Sequence, residues 1–165
     1  MVWVFAPRFV YFDFQSMVPP NFFPMTEANN LKKVASHKYA DILRVPNEPV
    51  LIIQSTSTSM PLSDFKSIFS EAGTIIEQEG ITKLIFDKRS FKVFDPEAME
   101  WYFTEWKEQM FALGLRTHRK IMPESVPFKY SVDTSRKSIY ERFPKGKFRQ
   151  MDIQYVNSIE EAVAH

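Results

Sequence analysis

The segment FDPEAMEWYFTEWKEQM, residues 94–110, holds the densest group of side chains that could do chemistry. It contains four glutamates, one aspartate and two tryptophans. Carboxylates beside aromatic rings are typical of acid–base sites and of sugar-binding sites. The same residues are also typical of a capped amphipathic helix, so their spacing has to distinguish the two interpretations.

Helical spacing separates the acids from most of the apolar residues. Asp95 followed by Pro96 predicts an N-cap and a first helical residue. Apolar residues recur at intervals of three and four and predict a buried stripe: Met99, Tyr102 or Phe103, Trp106, Met110 and Leu113. The other face holds Glu97, Trp101, Glu105 and Glu108. We expect the glutamates to be solvated, and Trp101 either to pack beneath a loop or to face a partner.

Other catalytic patterns are missing from the sequence. The histidines are His37, His118 and His165, and neither GxSxG nor HExxH accompanies them. There are no cysteines. We therefore predict no catalytic residue, no metal site and no cofactor, and we expect His118 to be a partly exposed strand residue.

The composition of the chain argues against nucleic-acid-binding and membrane-spanning proteins. The chain has 165 residues, 44% of them hydrophobic, and a formal net charge of +1. That charge gives no strong attraction to nucleic acid, and no apolar run reaches the roughly 18 residues of a membrane helix. The absence of cysteine suits a reducing compartment, so we predict a cytoplasmic protein, although cysteine is also simply rare in short chains.

The N-terminal region differs from the rest. Residues 1–28 are rich in aromatic residues and proline, and we interpret them as a weakly ordered extension, with Met17 and Met25 as plausible alternative starts. The alternative is an aromatic anchor for a partner. Residues 29–165 are predicted to form a single domain.

Hydrophobic periodicity gives the order β-β-α-β-α-β-α-β-α. A hairpin over 39–56 is followed by helices over 60–80 and 94–113, with strands over 81–90 and 114–125. A polar helix or irregular segment covers 126–146, a strand covers 147–156, and a helix with a capping box closes the chain. This order predicts an α/β fold with a mixed, mostly parallel sheet of about five strands and helices packed on it.

Three stretches resemble a known family: GITKLIFDKRSF, DPEAMEWYFTEWKEQMFALGLRTHRKIMPES and IQYVNSIEEAVAH. They are similar to the small bacterial STAS/SpoIIAA-like proteins, and the resemblance as a whole runs from about Tyr39 to Val163. That fold is shared by anti-sigma-factor antagonists and by the cytoplasmic domain of sulfate transporters. The resemblance implies a non-catalytic regulatory domain that binds a protein partner.

In the anti-sigma-factor antagonists, a serine at the start of the helix after the central strand is phosphorylated. Pro96 takes that place here, Ser90 is the nearest hydroxyl, and no clear switch serine is predicted.

The predicted interaction site is the loop from Asp87 to Asp95 with the helix that follows it. Its residues are Asp87, Lys88, Arg89, Ser90, Phe91, Phe94, Asp95 and Trp101. The alternative is a site for a small apolar anion or lipid at the carboxyl edge of the sheet. Phe91, Phe94 and Phe128 would line it, and Lys88, Arg89 or Lys92 would meet a carboxylate or phosphate. The phenylalanines could instead simply cap the core.

Nucleic-acid binding and enzymatic activity have weaker support in the sequence. The basic groups over 88–89, 116–120 and 145–149 could form a patch for nucleic acid, but we interpret them as solvated strand ends and predict no nucleic-acid partner. An enzyme of unknown class has only the acidic segment in its favour, and we predict a non-enzyme. A homodimer is compatible with the sequence.

Overall fold

The polypeptide folds around a six-stranded mixed sheet with the strand order β1-β2-β3-β4-β5-β6. The computed structural model describes residues 30–165. The prediction for residues 1–28 therefore lies outside the described residues. The strands are β1 (Lys32–Ser36), β2 (Ala40–Arg44), β3 (Val50–Ser55), β4 (Lys83–Asp87), β5 (Thr117–Ile121) and β6 (Asp152–Val156). β1 to β3 pair antiparallel, and β3 to β6 pair parallel.

The helices lie between the parallel strands and after the last one. They are α1 (Leu62–Glu79), α2 (Pro96–Trp101), α3 (Lys107–Ala112), α4 (Val126–Arg142) and α5 (Ile159–Ala164). A π-helical turn over Tyr102–Trp106 joins α2 to α3, and a 3-10 turn over Lys147–Gln150 precedes β6. We call the continuous unit of α2, the π turn and α3 the central helix.

The α/β class and the alternation of strands with helices are confirmed. Two boundaries differ from the prediction. Residues 32–36 form an edge strand that the prediction omitted, because its exposed Lys32 and Lys33 hide the alternating pattern of a half-buried strand. Residues 147–150 form a 3-10 turn and not the start of β6, although Phe148 within it is buried as predicted.

The helices cover both faces of the sheet, and each face forms its own apolar core layer. Alternate residues of β4 point to opposite faces, so Leu84 and Phe86 pack with α1 and the central helix, whereas Ile85 packs with α5. The first layer is the larger one and is rich in rings. In it the Phe65 and Phe69 rings stack with centroids 4.2 Å apart, and Phe69 meets Phe86 edge-on at 5.1 Å.

The central helix begins as predicted but contains a turn that the sequence did not reveal. Asp95 caps it by accepting a hydrogen bond from the Glu97 N–H at 2.8 Å, and Pro96 is its first residue. In the π turn the Lys107 N–H donates to the carbonyl of Tyr102, five residues earlier. A π turn takes more residues per revolution than an α turn, so Lys107 comes to lie above Tyr102 rather than beside it.

The buried stripe of the central helix is therefore wider than predicted. Tyr102 and Phe103 are both buried, where one of them was expected, and Met99, Trp106 and Met110 are buried as predicted. The prediction for Leu113 is wrong, because that side chain is 40% exposed. It follows the last turn of α3, where the chain bends toward β5.

Gly73 marks the close approach of α1 to the central helix. A Cβ atom at this position would lie 3.0 Å from Cε of Met110 and 3.5 Å from Nε1 of Trp106. Trp106 is held there because its Nε1–H donates to the carbonyl of Phe69 at 2.6 Å. The missing side chain of Gly73 thus permits tight packing between the two helices, at a cost of about 1 kcal/mol in helix propensity relative to alanine.

We predict that Gly73→Leu lowers the free energy of unfolding by about 1–3 kcal/mol, because the added side chain overpacks this contact. Urea denaturation measures the change. Thr74→Leu, on the exposed side of the same helix, is the matched control and should leave the stability nearly unchanged. Equal stabilities for the two variants would contradict the close contact.

Candidate functional site

The predicted loop follows β4 at the carboxyl edge of the parallel strands. Its first residue, Asp87, is buried and accepts hydrogen bonds from Arg89 Nε at 2.9 Å, Arg89 Nη2 at 2.7 Å and Gln54 Nε2 at 3.2 Å. Burial alone would raise the pKa of Asp87. The hydrogen bonds from Arg89 and Gln54 outweigh that effect and lower it. Asp87 is therefore an ionised anchor that fixes the position of Arg89.

Three other predicted loop residues have structural partners. The Ser90 hydroxyl donates to the carbonyl of Ser55 at 2.9 Å and ties the loop to β3. Phe91 is buried, with its ring stacked on that of Phe94 at 5.7 Å between centroids. Asp95 caps the central helix. These contacts hold the loop in one shape.

Trp101 packs on the protein instead of standing free in solvent. It is half-buried, its ring meets that of Phe65 edge-on at 6.1 Å, and Lys66 Nζ lies 5.5 Å from the centre of its ring. Of the two expectations for this residue, the structure shows packing, here against α1 rather than beneath a loop. This contact gives Trp101 a role in stability.

Behind the loop lie three lysines that are almost completely buried, which we call the lysine cluster: Lys88, Lys107 and Lys120. Lys88 directly follows β4, Lys107 follows the π turn, and Lys120 lies on β5 beside Phe86. The loop, the central helix and the sheet therefore each contribute one amine to the same aromatic layer.

Aromatic rings surround the amines of the cluster. Lys107 Nζ lies 3.5 Å from the ring centre of Phe103, and Lys120 Nζ lies 4.6 Å from the same ring. Lys88 Nζ lies 5.3 Å from the ring centres of both Phe86 and Phe94. The faces of these rings attract a cation, but much less than water does.

Carboxylate partners are missing from the cluster. Within residues 30–165, none of the three lysines forms an ion pair, and Lys107 Nζ has no hydrogen-bond partner. Asp133 on α4 is an acid whose charge acts on Lys88, and Arg136 on the same helix opposes it. Unpaired buried lysines are uncommon, since desolvation of an ammonium group is costly.

Burial lowers the pKa values of the whole cluster. It brings the pKa of Lys88 to about 7. The pKa values of Lys107 and Lys120 lie well below their usual range, first because of burial and then because neighbouring lysines repel a further positive charge. The cluster therefore contains amines that can be uncharged near neutral pH.

His118 lies beside the cluster and is fully buried, so the expectation of partial exposure is wrong. Its Nε2 lies 2.8 Å from the hydroxyl of Tyr102. Burial, followed by repulsion from Lys107 and Lys120, lowers the pKa of His118 well below its usual value. The ring is neutral and paired, as in a structural hydrogen bond of the core.

The interpretation of residues 116–120 as a solvated strand end is wrong for most of that stretch. The side chain of Arg119 is only 3% exposed, and its Nη2 donates to Asp152 Oδ2 and to the carbonyl of His165, each at 2.7 Å. Lys120 is buried on the opposite face of β5. Only Arg116 is exposed, so these residues form no continuous basic surface.

Two cavities open at the carboxyl edge, on either side of the first turns of α4. The Phe94 cavity has a volume of about 450 Å³ and lies between the loop and α4. Its lining includes Phe94, Phe128, Val132 and Lys92. Three of these residues, Phe94, Phe128 and Lys92, were predicted to meet an apolar anion, whereas Phe91 belongs to the core and Lys88 lies behind the Phe94 ring.

The Tyr155 cavity lies on the other side of α4 and has a volume of about 570 Å³. Arg89 is the predicted site residue that lines it, together with Lys129, Glu124 and Asp133. Acids and bases are mixed here. This cavity therefore shows no clear preference for one ligand charge.

Comparisons with known proteins identify no relative. No family model matches the chain, and no curated protein matches it. The STAS-like resemblance thus stays a prediction. Within residues 30–165, no helix combines the length and the hydrophobicity that a membrane span requires.

Lys107 and Lys120 were not predicted as residues of this region. In a regular α-helix Lys107 would lie at the flank of the buried stripe, four residues after Phe103, and the π turn brings it above Tyr102. Lys120 does have a sequence signal. It alternates with Arg119 in β5, and a parallel strand between two others is covered on both faces.

We predict that Lys107→Met stabilises the protein near neutral pH by about 1–3 kcal/mol, since an apolar side chain of similar length replaces an unpaired buried amine.

The free energy of unfolding of the wild type should also depend on pH. Lysines with folded pKa values below 10.5 bind fewer protons in the native than in the unfolded state, so wild-type stability should rise from pH 7 toward pH 10.5.

Thermal or chemical denaturation between these pH values measures both effects. The rise with pH should be smaller in Lys107→Met than in the wild type. Lys137→Met, at an exposed position of α4, is the control and should retain the full rise. A stability that is flat over this range in the wild type would show that the amines remain charged in the folded state.

Proposed function

We propose that the domain binds a small carboxylate with an apolar body in the Phe94 cavity. The observation that carries this proposal is a cavity with phenylalanine walls, Lys92 in its lining, and the buried amine of Lys88 behind the Phe94 ring. Its volume of about 450 Å³ falls within the range of small-molecule sites.

Charge favours an anion over a cation at this position. Lys88 contributes a buried basic group that lacks an ion pair within the described chain, and Lys107 and Lys120 lie deeper in the same layer. Asp95 also lines the cavity, but its carboxylate is engaged by the Glu97 N–H at the start of the central helix. Because the amines of the cluster can be uncharged near neutral pH, the charge that a carboxylate would meet in the cavity is that of Lys92, which belongs to the lining.

The location agrees with the general position of ligand sites in parallel α/β sheets, beyond the carboxyl ends of the strands. β4 leads directly into the loop that forms one wall, and α4 forms the other wall. Both walls are held by the core, the loop through Phe91 and α4 through Phe128. The cavity is therefore a preformed feature of the fold.

We predict that Ser131→Phe abolishes binding of 4-methylpentanoate, used as a probe carboxylate, because the exposed Ser131 lines the Phe94 cavity and a ring there fills it. Isothermal titration calorimetry and amide ¹⁵N chemical shifts of residues 92–95 report binding. Ser138→Phe, an exposed serine two turns further along α4, is the control and should bind as the wild type does.

Loss of binding in both variants would contradict the assignment of the ligand to this cavity. Native mass spectrometry after mild purification offers an independent check. A co-purifying small molecule is expected in the wild type and should be depleted in Ser131→Phe.

A protein partner at the same edge is the second candidate function. Three large apolar side chains are exposed there: Val93 at 63%, Val126 at 76% and Tyr130 at 74%. Val93 belongs to the predicted loop, and Val126 and Tyr130 lie on the first turns of α4. An exposed apolar group of this kind favours protein contact, in keeping with the regulatory role that the STAS-like resemblance implies.

If this candidate is right, Tyr130→Ser should reduce capture of a specific partner from the native cell without affecting the fold, because Tyr130 makes mostly solvent contact in the free protein. Trp101→Ala is a less suitable probe, since Trp101 packs on Phe65. Affinity purification followed by mass spectrometry measures capture, and circular dichroism confirms folding. Equal capture by Tyr130→Ser and wild type would exclude this surface as the contact.

A further inference from the structure

We propose that Lys88 is a nucleophilic amine that holds a 2-oxo acid in the Phe94 cavity as an imine. This inference rests on the proposed carboxylate-binding function and names its ligand class. A 2-oxo acid carries the carboxylate that the cavity favours and, on the adjacent carbon, the carbonyl group that a neutral amine attacks.

Lys88 lies close to the Phe94 cavity. Lys88 is the residue directly after β4, at the edge where the cavity opens, and its backbone N–H donates to the carbonyl of Ile121 at 2.8 Å. Its Nζ lies 5.3 Å from the centre of the Phe94 ring, which lines the cavity. The Phe94 ring is therefore next to this amine and also part of the cavity wall.

Of the two rings that lie 5.3 Å from Lys88 Nζ, Phe94 is the more exposed one. Phe94 is half-buried, whereas Phe91 and Phe86 behind it are fully packed. Its neighbours in the chain, Val93 and Asp95, lie at the surface or are partly exposed. A change of the Phe94 rotamer would bring Lys88 Nζ into contact with a ligand without unfolding the core.

The surroundings of Lys88 favour an uncharged amine. Its side chain is 1% exposed, and this burial is the main effect that disfavours its charged form. Arg136 acts in the same direction, and Asp133 is an acid that opposes it. Lysines made nucleophilic by desolvation and by a neighbouring cation form Schiff bases with carbonyl substrates.

The covalent step balances without an added oxidant or reductant. The Nζ lone pair attacks the carbonyl carbon, the π electrons of the C=O bond move to oxygen, and a proton passes from nitrogen to that oxygen. Loss of the hydroxyl group with the second nitrogen proton releases one water and leaves the C=N bond. Reversal by water releases the oxo acid, so the reaction is a capture and not a turnover.

Borohydride trapping tests the proposal. The full chain is incubated with 4-methyl-2-oxopentanoate at about pH 8, where solvated lysine amines are protonated, then reduced and digested for mass spectrometry. We expect the reduced adduct on Lys88, with labelling of the exposed Lys92 and Lys129 lower by about tenfold or more. Excess 4-methylpentanoate should protect Lys88 because it occupies the same cavity.

Variants and controls separate this inference from the proposed function. Lys88→Arg should lose the adduct, and Lys137→Arg, at an exposed position of α4 outside the cavity, should keep it. Protection by 4-methylpentanoate tests Lys88 even if Lys88→Arg does not fold. Absence of an adduct, or adducts confined to exposed lysines, overturns the imine. If 4-methylpentanoate nevertheless binds to the cavity, the proposed function stands alone, and if it does not bind, both fail.

Discussion

The contact between the central helix and strands β4 and β5 is the constraint on which the rest of the structure depends. This layer contains the largest side chains of the core, among them Trp106, Tyr102 and Phe86, and it also contains three lysines. The π turn makes this combination geometrically feasible. It directs both Phe103 and Lys107 at the sheet, so that a ring and an amine from one helix meet Lys120 from β5.

The layer sets the properties of the carboxyl edge. A core that buries unpaired amines gives up stability relative to an apolar core of the same shape, and such a cost is usually found where a fold serves a site. Here the nearest opening is the Phe94 cavity, with Lys88 between it and the deeper amines. The loop that carries Lys88 is held on both sides, through Asp87 to Arg89 and through Ser90 to β3. A rigid loop, an apolar cavity and a desolvated base together make a small-molecule site the simplest account of this edge.

Much of the fold could be predicted because its signals are local. The hairpin, the caps at Asp95 and Ser158, and the left-handed end of α1 at Gly80 all follow from residue types at fixed spacing. The edge strand β1 was missed since it buries almost nothing. The π turn has no reliable pattern in one sequence, so the burial of Lys107 could not be predicted, whereas Lys88 was predicted at this edge and Lys120 lies in a strand with neighbours on both sides. Phe94, Phe128 and Lys92 line one cavity because the topology of the sheet brings them to the same edge. Arg89 lies at this edge too, but on the other side of α4.

The charge state of the lysine cluster is the central claim, and side-chain NMR of the full chain labelled with ¹³C at the lysine ε positions tests it most directly. Titration should show three lysines that change shift at much lower pH than the others, one of them with a pKa of about 7 that is lost in Lys88→Arg. Titration of every lysine close to the ordinary value of about 10.4 would contradict the account, since the cluster would then be charged and hydrated.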